Sequence, residues 1–598
     1  MSLKNIQPGA LRKLFRDGKF FKQHTYGACP GYLQTNISIL PASVADNFKE
    51  FSRLNSAPCP LIFKSQPGEV AAPIIGKDID IRTDLPAYRV IENGEITKTV
   101  ADLKDIEWND MVTFHIGCSF TFDDQLIANG IPLDQNQNIC MYKTNISCKE
   151  VPPFNTNMYV SLRPIPKDKL KDAVNCTLNT DFAHGAPIHI GNPESIGIPN
   201  LSENIMDVKI DLAEDEIPAF WACGITSGYA VKSAGLAQCF AHSPGGMFVS
   251  DVFSHNVSDI VPTTLYPEAE LLEMKQKVYQ ILSKPSLDAI RRIDNEIMED
   301  IGQRGITNLL VKDDFCRTCL DLAANGDHVG IIFGFPCFEG EDPVEENDGV
   351  AGAIYIANAL LKLGKSVTFI VDNVSLTLKN FLLEQMPKCQ IKSVGTDFTN
   401  DNKDFLYDTD TSKPLFSHLL AIERPSPSVD GTCRGMNGRL INVEPTHLLF
   451  LQAGNQITTI GIGDGGNELG MGKVRSQIVQ HVPKGETTGS TISCDYLVTC
   501  GVSNWGGFAV AAGLDILSRC PVFDRYRRFG LGFQEKPDVN RLLYNEEQNE
   551  DLSKQISGKG FRDGIRKTAG MSVDNLEYEV HVAKYDKIRR ISEHVRFE

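Results

Sequence analysis

The chain has 598 residues, 42% of them hydrophobic and 23% charged, with a formal net charge of -17 at pH 7. That length exceeds what one hydrophobic core usually organises, so two domains are expected, and the composition is that of a soluble protein. The acidic balance and the lack of a long Lys/Arg run or a basic stripe argue against nucleic acid and anionic membrane surfaces as partners, and no run of about 18 apolar residues is present to span a bilayer.

The first 24 residues carry six Lys/Arg and one Asp. Such a segment reads either as a presequence or, through Leu3, Ile6, Leu11, Leu14 and Phe15, as an amphipathic opening helix. Short apolar runs at 32–40, 111–117, 158–162 and 218–221, punctuated by Pro and Gly, predict a mixed α/β domain over 1–260. Residues 261–305 change to a polar helical pattern, with Leu271, Leu272, Met274, Val278, Ile281 and Leu282 followed by Ile290, Ile293 and Ile297. The spacing predicts a helical connector. From 306 to 598 the rhythm is strand then helix: apolar runs at 329–335, 367–371, 418–422, 457–462 and 496–499, several followed by Gly- or Asp-rich loops, predict a second α/β domain with a parallel sheet. One helix is marked by Asp348 as its cap and Gly364 as its stop. The 16 scattered cysteines read as reduced thiols, and Cys316 and Cys319 have no partner pair at zinc-ribbon spacing.

The run from His115 through Gly117, Cys118 and Ser119 to Asp123 and Asp124 places a thiol, a hydroxyl and two carboxylates just past a strand, where a helix start could hold an anion. His184 and His189 flank Pro187, and His242 precedes Ser243, Pro244 and Gly245. Proline excludes a helical metal-binding face there, so these histidines are candidate general acids and bases. Arg82, Arg89 and Arg163 could grip a carboxylate through two parallel hydrogen bonds. Trp221-Ala222-Cys223-Gly224 is another strand end carrying a thiol.

In the second half, Asp372, Glu423 and Asp464 sit at or just beyond the carboxyl ends of predicted strands, and Glu468 follows in the Gly461-Ile462-Gly463-Asp464-Gly465-Gly466-Asn467-Glu468 segment. These four are the candidate ligands for a divalent cation, Mg²⁺ or Mn²⁺, though no cofactor is required by the pattern. Gly463 to Asn467 is similar to the acidic motif of haloacid-dehalogenase-like phosphatases, but no Asp-x-Asp-x-Thr nucleophile motif exists in the chain. The glycine spacing is also wrong for a dinucleotide fingerprint. The acidic run from Glu339 to Asp348 predicts a solvated loop.

Taken in order, Ala28-Cys29-Pro30-Gly31-Tyr32, Arg82-Thr83-Asp84, Ile116-Gly117-Cys118-Ser119-Phe120, the His184 to Gly191 loop, Phe220-Trp221-Ala222-Cys223-Gly224 and His242-Ser243-Pro244-Gly245 resemble the D-glutamate cyclase family, whose bacterial members are named as hydro-lyases. Phe333-Gly334-Phe335-Pro336, Glu423-Arg424-Pro425, the Gly461 to Glu468 segment and Gly501-Val502-Ser503-Asn504-Trp505 resemble the C-terminal domain that accompanies this module in animal-type, mitochondrial members. Asp123 departs from the pattern, which has a glutamate there. The resemblance implies a lyase that closes D-glutamate to 5-oxo-D-proline and water, in the mitochondrial matrix. The family-like segment begins near Pro8, which keeps the cytoplasm as the alternative.

Closing glutamate requires a neutral α-amine to attack the γ-carboxyl carbon. The expected machinery is a base from His184, His189 or His242 and oxyanion stabilisation, with Cys118 as a pocket residue first and a nucleophile second. Arg82, Arg163, Ser119 and Asn145 are the expected substrate-binding residues. The residues alone leave open a hydro-lyase or amidohydrolase on another small carboxylate, or a noncatalytic metabolite-binding protein. Oligomeric state has no signature in the sequence.

Overall fold

The computed structural model describes residues 5–597 apart from 22, 134–138, 209, 211, 400 and 529–540. The chain divides into two compact units. The first holds residues up to 283 together with 521–528, and the second holds 284–520 and 541–597. Both are α/β, and the second contains the expected parallel sheet.

In the first unit a seven-stranded antiparallel sheet runs in the order Leu61–Lys64, Met111–Gly117, Tyr32–Pro41, Cys239–His242, Tyr88–Glu92, Glu95–Val100, with Phe248–Phe253 also pairing Tyr32–Pro41. The central strand is buried along nearly its whole length. Its polar residues are therefore bonded inside: Gln34 donates to the Thr25 and Ala28 carbonyls, and Asn36 donates to Gly117 O at 2.9 Å. A second antiparallel sheet of Met141–Ser147, Asn157–Pro166, Glu216–Ala222 and His189–Ile190 shares an apolar core with the first through Phe114, Ile116, Val160, Leu162 and Phe220. The opening helix, Pro8–Arg16, buries Leu11 and Phe15, as its amphipathic spacing predicts, and Leu3 lies outside the described residues.

The predicted connector is corrected in its first part. Residues Ala269–Glu273 and Tyr279–Ser283 form a β-hairpin, and the helix begins only at Lys284, ending at Ile297. The apolar spacing there suits either structure, and pairing decides it: Lys277 turns the chain with φ of 57° and Val278 bridges to Gly191. Pro285, at the second helical position, was the signal for the true start.

In the second unit six parallel strands are ordered Gln390–Val394, Ser366–Asp372, His328–Phe333, His418–Ile422, Thr458–Gly463, Tyr496–Thr499. Five match predicted runs. Gln390–Val394 was missed because it is a half-exposed edge strand without an apolar pattern. Chain order reverses between His328–Phe333 and His418–Ile422, which opens a crevice at their carboxyl ends. The helices Val350–Lys362 and Ser503–Arg519 cross so closely that a Cβ on Gly507 would lie 2.3 Å from the Gly352 Cα. Gly364, at φ of 76°, stops the first of them as expected. Asp348 does not cap it in the usual way: it accepts from Gly349 N, and also from Ser503 N and Asn504 N on the other helix.

Candidate functional site

A cavity of about 190 Å³ lies in the first unit. Strand register gathers its walls: Asn36 stands opposite Ile116, one step before Gly117 and two before Cys118, and Arg89 stands opposite Ala241, one step before His242. Cys118, Ser119, His184 and His242, four of the residues singled out from the sequence, line it together with Asn36, Arg89 and Cys223. The helices Phe120–Ala128 and Ile225–Ser233 begin at its edge, so two positive helix ends face the space. Gly117 is needed for a reason other than a sharp turn: a Cβ there would lie 1.7 Å from Phe182 O, on the segment that leads to His184.

Both cavity histidines are held the same way. His184, in a left-handed conformation with φ of 82°, has Nδ1 2.6 Å from Ala57 O, and His242 has Nδ1 2.8 Å from Ser243 O. Burial pushes both pKa values down to about 4, helped by Arg163 and Arg525 at His184 and by Arg89 at His242. Each ring is thus neutral at pH 7, with its one proton on Nδ1 donated to a carbonyl and a bare lone pair on Nε2. His242 Nε2 lies 3.2 Å from Asn36 Oδ1. That amide cannot turn round, because its Nδ2 is committed to Gly117 O. Two acceptors therefore face each other, an arrangement that a donor such as an ammonium group would satisfy.

Arg89 lines the cavity half-buried, and among the described residues no carboxylate pairs with it. Arg163, by contrast, is spent: its Nε and Nη2 bond the two oxygens of buried Asp123 at 2.8 and 3.1 Å. Its remaining contacts hold the hydroxyls of Ser161 and Ser119 at 2.8 and 3.1 Å. The shorter Asp123 side chain reaches its cation directly, with the Tyr26 hydroxyl nearby. Cys118 and Cys223 are kept as thiols, since burial pushes Cys118 well above the usual range and raises Cys223 as well.

Other predicted residues lie elsewhere. Arg82 forms a partly exposed pair with Asp80. His189 points its Nε2 at Asn192 O, 2.7 Å away, and Asn145 is exposed on its strand beside Gly197. Neither lines the cavity. Sequence reasoning also missed Arg525, which bonds Asp181 and His184 O at 3.0 and 2.9 Å and so clamps the His184 loop from the distant helix Pro521–Arg527. A separation of 341 residues leaves no local signal for it.

In the second unit the predicted ligand set is regrouped. Glu423 and Asp464 do converge, but their third partner is Asp348, with ligand oxygens of all three within 4.8 Å. Asp372 instead pairs with buried Arg424. Glu468 stands behind, its Oε1 accepting from Asp464 N and Gly465 N at 3.1 and 2.6 Å. The acidic run from Glu339 to Asp348 is only partly a solvated loop, because Glu345, Glu346 and Asp348 are buried. An all-carboxylate group of this kind has the donor chemistry for a hard divalent cation.

Comparison with known proteins follows this division. Residues 112–251, which carry most of the cavity, match the family model described as D-glutamate cyclase, and residues 293–589 match the model described as D-glutamate cyclase-like, C-terminal. A human protein named D-glutamate cyclase, mitochondrial, is 31% identical over 97% of this chain and 96% of its own length. Shorter bacterial proteins named as hydro-lyases are also similar. One from Staphylococcus carnosus is 43% identical over 43% of this chain and 99% of its own, and one from Verminephrobacter eiseniae is 42% identical over 41% and 90%. With both parts matched in order and a full-length relative at this identity, the chain belongs to the D-glutamate cyclase family.

Proposed function

We propose that the first-unit cavity closes D-glutamate to 5-oxo-D-proline with release of water, which makes the chain a carbon-oxygen lyase. The observation that carries this reading is the pair of facing acceptors, His242 Nε2 and Asn36 Oδ1, in the same cavity as the carboxylate-free Arg89. A substrate ammonium fits between the first two, and a substrate carboxylate fits the third.

The proton balance suits two neutral imidazoles. The substrate nitrogen begins as NH₃⁺ and ends as a lactam N–H, so two protons leave it, and the departing oxygen needs the same two to leave as water. His242 takes the first, freeing the amine's lone pair to attack the γ-carboxyl carbon. His184, whose Nε2 is likewise bare, takes the second from the nitrogen after the attack, and the two imidazoliums then give one proton each to the departing oxygen, which leaves as water with both rings neutral again. The oxyanion formed on the way is stabilised by the helix ends and by the Ser119 hydroxyl, whose oxygen accepts from Arg163 and whose hydrogen is therefore free to donate. Tethering of nucleophile and electrophile in one molecule supplies the proximity. Cys118, held as a thiol, forms part of the wall. No residue of the second unit is assigned a part in these steps. The mitochondrial matrix is the assigned compartment, on the strength of the human relative's name.

Purified protein incubated with D- and L-glutamate, with 5-oxoproline followed by chiral chromatography, tests the reading. Formation of 5-oxo-D-proline from the D enantiomer is expected. Turnover of neither enantiomer would overturn it.

A further inference from the structure

We infer that the second unit holds one divalent metal ion, Mg²⁺ or Mn²⁺, directly between Asp348, Glu423 and Asp464, at the crevice where the parallel sheet reverses its strand order. Asp348 follows the strand His328–Phe333, Glu423 ends His418–Ile422 and Asp464 ends Thr458–Gly463, so three neighbouring strands deliver one carboxylate each. Crevices at such switch points are where open α/β sheets take ligands.

The charge inventory calls for a cation. Five buried carboxylates, Glu346, Asp348, Glu423, Asp464 and Glu468, and the partly buried Asp574 act on one another here. One guanidinium, Arg304, bonds Asp464 and Asp574. Three backbone N–H groups on Asp348, a hydroxyl from Ser503 on Glu423 and Ser503 N on Asp464 fix the orientation of the three ligands without neutralising them. Buried charge of one sign is stable only when it is protonated or paired, and Arg304 brings a single positive charge against these six carboxylates.

A second observation is independent of the cluster's composition. Glu468 is 1% exposed, its Oε1 is bonded, and its Oε2 has no partner among the described residues while its charge bears on Glu423. Asn347 Oδ1 is likewise buried and unbonded beside Asp348. Orphaned acceptors of this kind accept from metal-bound water. The inner ligands are all oxygen, with neither imidazole nor thiolate among them, which selects a hard ion over zinc or copper.

The experiment uses the full chain, stripped with EDTA and titrated with Mn²⁺ by calorimetry and by the loss of the free Mn²⁺ electron paramagnetic resonance signal, with thermal melting in parallel. One Mn²⁺ per chain and a metal-dependent rise in melting temperature are expected. Asp464→Asn and Glu423→Gln should weaken binding at least tenfold, and Asp372→Asn should leave it unchanged. In EDTA Glu423→Gln should melt no lower than the parent, because it removes one repelling charge without breaking an ion pair, so a loss of binding is separable from a loss of folding. Absence of binding to the parent at millimolar Mn²⁺, or binding by Asp464→Asn and Glu423→Gln at parental affinity, would overturn the assignment. Since the readouts do not require turnover, the result stands apart from the cyclase assay.

Discussion

The two units solve opposite electrostatic problems. The first-unit cavity surrounds its space with an arginine that has no carboxylate partner among the described residues, two helix N-termini and two histidines kept neutral by burial, a setting prepared for an anion that brings an ammonium with it. The second-unit crevice packs carboxylates around a single arginine, a setting prepared for a cation. In both, helix N-termini are at hand, but their use differs. The helix Ser503–Arg519 spends its first amides on the protein's own Asp348 and Asp464, whereas at the cavity Thr121 N and Thr226 N close turns onto Cys118 O and Cys223 O. Whether a buried charge already has its counter-charge thus distinguishes structure from recognition, and the same test separates Arg163 from Arg89.

The largest effect that would break this contrast concerns the histidines. His184→Gln and His242→Gln keep the ring's approximate size and a donor toward the Ala57 or Ser243 carbonyl but lose the basic Nε2, so kcat should fall by about 10²–10⁴ with the melting temperature nearly unchanged. Parental kcat in either variant, measured by 5-oxoproline formation, removes that residue from the chemistry. Next in size is the arginine pair. Arg163→Met leaves Asp123 charged and unpaired in the interior and should cost about 3–5 kcal/mol of stability, read from urea unfolding. Arg89→Met should instead raise KM for D-glutamate with little change in unfolding. If the two variants exchange phenotypes, the carboxylate anchor is Arg163 after all.

Much of this was legible in the sequence, and what was not has identifiable causes. The parallel strands announced themselves as short apolar runs, and Cys118, Ser119, His184 and His242 sit in loops at strand ends, where polar residues beside Gly and Pro stand out. Arg163 and Asp372 look, one residue at a time, as available as Arg89 and Asp348. Their partners, Asp123 and Arg424, lie 40 and 52 residues away, so only the fold reveals that they are neutralised. Asp348 was read as a helix cap because its local sequence fits one, yet its main partners come from a helix that starts 155 residues later. The hairpin at 269–283 shows the same limit in secondary structure, since its apolar spacing satisfies a helix until Val278 meets Gly191.

The smallest of these effects sharpens the claim that the cavity histidines are neutral. In the unfolded chain a histidine takes up its proton near pH 6.5, whereas His184 and His242 in the fold resist protonation down to about 4. Between those values the unfolded state binds more protons than the native one, so stability rises with pH through this window and is lost as pH falls from 6.5 toward 4. Above pH 6.5 the two residues contribute no slope. A fully buried histidine shifted this far accounts for a loss on the order of 3 kcal/mol at the acid end. Urea unfolding at pH 7.0 and 5.0 should therefore show a drop that shrinks by a measurable fraction in His242→Gln, which has no proton to gain. An identical drop in parent and variant would mean that His242 is already charged at pH 7, holding protons on both nitrogens against Ser243 O and Asn36 Oδ1. The base in the cavity would then be His184 alone.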